Sequence, residues 1–128
     1  MEIIANAVQT VAANQNVYFT DTITSGNYVI SHRDDSGLVN LRGITNQCRA
    51  RFKVAFGGNI AIPTGETVGP ISLAIAIDGE PIRATTMTIT PAAVGDFFNV
   101  SAAAYVDVPN SCCTTVSVQN ISTIPVDV

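Results

Sequence analysis

Hydrophobic positions in this chain recur mostly at every second residue, in short runs closed by turn residues. That period belongs to β-strands, whose successive side chains point to opposite faces. The clearest run is Ile71–Ile77, in which Ile71, Leu73, Ile75 and Ile77 alternate with Ser72, Ala74 and Ala76. Asp78-Gly79 follows, and an Asp-Gly pair between alternating segments is a strong hairpin signal because both turn positions take positive φ. A solvated strand face would carry Thr, Lys or Glu. The small residues Ser72, Ala74 and Ala76 instead define a face against which something packs closely, which makes them candidates for subunit contact.

Two more long strands stand out. From Ala50, the side chains of Phe52, Val54 and Phe56 face one way and those of Arg51, Lys53 and Ala55 the other. Gly57-Gly58 reads as a bulge or bend, since Ile60 and Ile62 resume the alternation. Over Val100–Val108, Val100, Ala102, Ala104, Val106 and Val108 share a face, and Ser101, Ala103, Tyr105 and Asp107 share the other. This strand too is apolar or small on both sides, so Ala103 and Tyr105 join the subunit-interface candidates.

Shorter strands are expected at Ala7–Val11, Val17–Phe19, Tyr28–Ile30, Leu38–Arg42, Thr114–Gln119 and Ile124–Val128. A strand returning from the hairpin should run from Ile82 to Thr90. Asn14–Asn16, Arg33–Gly37, Pro63–Gly69 and Pro109–Ser111 read as turns or loops, and Ala92–Asp96 as a single helical turn. No amphipathic helix of useful length is predicted. About ten short strands with regular turn signals define an all-β chain, best fitted by a two-sheet jelly-roll sandwich in one domain, 1–128.

Composition adds an assembly argument. Apolar residues make up 47% of the 128 residues and charged residues only 12%, about half the usual share of roughly 25%. Lys53 is the only lysine. Missing surface charge is expected where neighbouring subunits cover the surface. A solvated surface rich in Ser, Thr and Asn is the alternative. Net charge is −4. Arg49, Arg51 and Lys53 would share a strand face, but three cations on an acidic chain argue against nucleic-acid binding. A solvated face, or salt bridges across a subunit boundary, accounts for them.

Met1-Glu2-Ile3-Ile4 lacks the basic start of a signal peptide. No apolar run reaches the roughly 18 residues that cross a bilayer. Cytoplasmic synthesis without membrane insertion is therefore expected. The surface of a virion or another extracellular particle is the expected final location.

The order of these strands resembles a known family. A Phe-x-Val-x-Phe strand (Phe52, Val54, Phe56) is followed by a long strand closed by Asp78-Gly79-Glu80. Next come Thr86, Met87 and Thr90, and then a Val-x-Val-Pro strand (Val106, Val108, Pro109). The series is similar to the compact trimeric jelly rolls of the tumour necrosis factor and complement globular-head superfamily. It resembles most the bacterial forms, such as the heads of collagen-like spore-surface glycoproteins and related domains of phage structural proteins. The resemblance covers most of 50–120 and implies a threefold homotrimer joined through one sheet. Two features depart from it: no collagen-like stalk precedes the domain, and the last strand is short.

Candidate chemistry is sparse. Cys48, Cys112 and Cys113 form no Cys-x-x-Cys pair. Cys48 can bridge to Cys112 or Cys113 in an oxidising setting, and buried free thiols are the alternative. Adding His32 gives no recognisable zinc spacing. His32 with Asp34, Asp35 and Ser36 lies in one turn without a nucleophile elbow. Asp78 and Glu80 flank a hairpin tip, where turn chemistry already explains Asp78. Asn99-Val100-Ser101 and Asn120-Ile121-Ser122 match the glycosylation sequon. Of Phe97 and Phe98, adjacent in a strand, one is expected in the core and the other at an interface. No catalytic residue, metal or cofactor is expected. The expected function is structural: a trimeric phage decoration or fibre-head protein partnered with itself and with other particle proteins such as a capsid or fibre. The alternative is a head domain that binds a host surface glycan or receptor.

Overall fold

The computed structural model describes residues 1–24, 30–43, 49–109 and 113–128. Among them run twelve strands: β1 (Glu2–Ile4), β2 (Thr10–Val11), β3 (Asp21–Thr24), β4 (Ile30–His32), β5 (Val39–Arg42), β6 (Arg49–Ile60), β7 (Ile71–Ile77), β8 (Glu80–Pro81), β9 (Met87–Ile89), β10 (Phe98–Pro109), β11 (Cys113–Asn120) and β12 (Val126–Asp127). Every pairing is antiparallel. One layer is a six-stranded sheet with β4, β5, β11, β7 and β8 side by side and β9 also paired to β7. The other is a ribbon of β6 and β10, in register from Phe98 opposite Ile60 to Pro109 opposite Arg49. Small ladders join β1 to β3 and β2 to β12.

Alternation builds the core between the layers. Val100, Val106 and Val108 of β10 turn inward with Phe52, Val54 and Phe56 of β6. They meet Leu41 of β5, Ile71, Leu73 and Ile75 of β7, and Val116 and Val118 of β11. Fully burying one such aliphatic side chain stabilises the fold by about 1.5–3 kcal/mol. The result is an all-β, sandwich-like architecture. The helical element among the described residues is one 3-10 turn, Arg83–Thr85.

The Asp78-Gly79 hairpin forms as its sequence requires. Asp78 has φ 51° and Gly79 φ 84°, and Ile77 pairs with Glu80 across the turn. The strand returning from it is not continuous, because the 3-10 turn lifts the chain away between β8 and β9. Side-chain chemistry closes the gap. The Thr85 hydroxyl accepts the Ile75 amide proton at 3.0 Å and donates to the Ile82 carbonyl at 2.7 Å. A buried side chain (Thr85 is 4% exposed) thus substitutes for a missing ladder bond, which preserves backbone satisfaction in the sheet.

Other expectations are corrected. Gly57-Gly58 introduces no bulge, since each β6 residue has one partner on β10. The glycine makes room instead: a Cβ on Gly58 would lie 3.0 Å from the Phe56 ring. Ala92–Asp96 forms no helical turn; it bends at Ala92–Ala93 and turns at Val94–Gly95, with Gly95 at φ 83°. Val17–Phe19 forms no continuous strand: Phe19 makes an isolated bridge with Ser36, and Asn16 just before it makes one with Gln119. The strand expected at Ala7–Val11 narrows to Thr10–Val11, and that expected at Ile124–Val128 to Val126–Asp127. Tyr28 and Val29 lie outside the described residues, and β4 continues to His32.

Candidate interaction surface

The ribbon has two unlike faces. While its inner face fills the core, the outer side chains of β6 (Arg51, Lys53, Ala55) and of β10 (Ala103, Tyr105, Asp107) are all exposed. Tyr105 keeps 67% of its surface accessible. Arg51 and Asp107 are direct partners across the ribbon. The guanidinium donates from Nε to Oδ1 at 2.8 Å and from Nη2 to Oδ2 at 3.3 Å. The same guanidinium lies 5.8 Å from the Tyr105 ring centre. Hydrogen bonding to Asp107, and then its charge, hold the Arg51 pKa above the ordinary arginine value. Phe97 and Phe98, where β10 begins, are both exposed, so neither is the core residue expected from their adjacency.

The small face of β7 has a different fate. Ala74 and Ala76 are fully buried within the single chain. Their cross-strand neighbours on β11 are Gln119 and Ser117, and Ser117 is buried as well. Two of the expected subunit contacts therefore have no surface left for a partner. Small residues do mark close packing here, but the packing is internal. Ser72 is half-buried and is tied down locally. Its hydroxyl shares a 2.8 Å hydrogen bond with that of Thr88, and its amide donates to Ser122 Oγ at 2.6 Å. Of the expected interface residues, Ala103 and Tyr105 are the ones on an open surface.

The polar candidates resolve into structural roles. Asp78 Oδ1 accepts the Thr115 amide at 2.9 Å and the Thr115 hydroxyl at 3.2 Å, which fastens the hairpin to β11. His32 bridges the Thr22 hydroxyl and the Ser36 carbonyl, each at 2.9 Å, with Phe19 edge-on to its ring. Asn120 is fully buried. It donates to the carbonyls of Val11 and Ile124, each at 3.0 Å, and accepts the Ser122 amide at 2.9 Å. That burial removes it as a glycan acceptor. Asn99 sits on the exposed side of the ribbon. Among the described residues, no three His, Cys, Asp or Glu side chains gather where they could hold a metal ion. Cys48 and Cys112 lie outside the described residues. Cys113 is exposed at the start of β11, opposite Arg42.

Between β5 and β6 the layers leave a cavity of about 300 Å³, lined among others by Phe19, Val39, Leu41, Phe52, Val54 and Phe56. Alternation places these residues on inward faces, but it carries no information on how closely the layers meet.

Compared with known proteins, the chain matches no family model, and no curated protein matches it significantly. No helix among the described residues is long and apolar enough to cross a membrane.

Proposed function

We propose that the protein is a non-enzymatic structural or surface-display protein, a homotrimer carried on a larger particle as a virion decoration or fibre head. The observation that carries this reading is the ribbon of β6 and β10, whose inner face fills the core while its outer face is exposed along its length. Ala103 offers close approach. Tyr105 and Arg51 offer the residue types that dominate interface energetics. The jelly-roll arrangement rests on the strand order and on the resemblance drawn from it. Imaging the native particle with the protein labelled tests the location: labels on projecting threefold knobs support it, and label absent from the particle refutes it.

Exposed rings at Tyr18, Phe97, Phe98 and Tyr105 favour a second reading, a head domain that stacks on host glycans. Binding on a glycan array that Tyr105→Ser or Phe97→Ser removes would favour it. An array with no signal would exclude it.

A further inference from the structure

We propose that the cavity between β5 and β6 is a binding site for a small, uncharged molecule built around an aromatic ring. Side chains on the inner faces of a sandwich normally interdigitate to fill the space between sheets. Here they do not. Phe52, Val54 and Phe56 of β6 and Val39 of β5 lie on inward faces yet remain only half-buried, with about 300 Å³ between the layers. That is the lower end of the range for small-molecule sites. Its lining is mostly apolar, with a few polar groups, as is usual for sites that take small apolar guests.

The lining sets the class of guest. Glu2 and Lys53 reach the cavity from exposed positions, so no buried charge waits to pair with an ionised group. Burying an ionised guest without a partner would be costly. Phe19, Phe52 and Phe56 supply aromatic walls, with Phe19 and Phe56 already edge-to-face at 6.4 Å and 73°. Such walls favour a flat ring, which can continue the edge-to-face and offset contacts that aromatic groups prefer.

The test uses the full chain and the neutral fluorescent probe N-phenyl-1-naphthylamine. The site predicts a saturable rise in fluorescence at one probe per chain. Val54→Phe and Val39→Phe, which fill the space, should weaken binding by about tenfold or more. Val68→Ser, at an exposed position outside the cavity lining, should leave it unchanged. Non-saturable binding, parental binding in both filled variants, or loss in Val68→Ser would overturn the proposal. If the filled variants do not fold, methyl NMR of the parent protein decides. Probe-induced shifts confined to Val39, Leu41, Val54, Val116 and Val118 support the site, whereas shifts that are absent or scattered overturn it. Probe binding that disappears on self-association would show the space to be a seat for a neighbouring chain, which also overturns it.

Discussion

Arg51 and Asp107 face each other across the ribbon of β6 and β10 in a two-pronged ion pair, with the Tyr105 ring beside the guanidinium. The pair lies on an open surface, where an isolated ion pair adds little to folding stability. It brings the guanidinium, the carboxylate and the Tyr105 ring together on the face proposed to meet other subunits. Ala103→Lys combined with Tyr105→Lys should therefore leave the fold intact and separate the subunits. Circular dichroism melting should give a Tm near that of the parent, while size-exclusion chromatography with light scattering should show a smaller particle.

The Arg51 pKa is raised by Asp107. A cation with a raised folded-state pKa contributes its stability fully below its unfolded value and loses it only as pH climbs past that value. For arginine that window lies far into base. From the arginine side, self-association at this patch should be flat between pH 6 and about 10 but should weaken with added salt, which screens exposed charges. Light scattering across both series checks this. A pH-dependent loss in that range with Asp107→Asn showing the same loss would place the cause elsewhere.

Buried Ala74 and Ala76 predict a different outcome for the same kind of substitution. Ala74→Lys or Ala76→Lys places an unpaired charge in the interior, at a cost of more than about 3 kcal/mol. Each variant should unfold at lower urea concentration even when dilute. A variant that keeps the parental midpoint but loses self-association would return this face to the subunit boundary.

These two faces show where the sequence was informative and where it was not. Alternation placed β6, β7 and β10 well, because period two is a property of the strand itself. The Asp78-Gly79 turn was legible because both residues answer a local backbone requirement. The small face of β7 was legible in part. Alanine reports that something lies close, but not whether that something belongs to the same chain. The break at Arg83–Thr85 was invisible, because the Thr85 hydroxyl acts on Ile75, ten residues away. Gly43 was equally silent: a Cβ there would run into the Pro109 carbonyl oxygen, a contact set by how the chain after β5 meets the end of β10.

Thr85 gives the sharpest stability test of a single atom. Thr85→Val keeps the shape and removes the hydroxyl, which leaves the Ile75 amide buried without its acceptor. A loss of about 1–3 kcal/mol is expected, whereas Thr85→Ser should recover most of it. Chemical denaturation of the three proteins measures the difference, and equal midpoints for Thr85→Val and the parent would contradict the role assigned to the hydroxyl.

The mass of the purified protein at micromolar concentration tests the central claim most directly. A homotrimer has three times the 13.4 kDa of one chain, and native mass spectrometry should show that species dominating. A stable monomer at the same concentration would contradict the account.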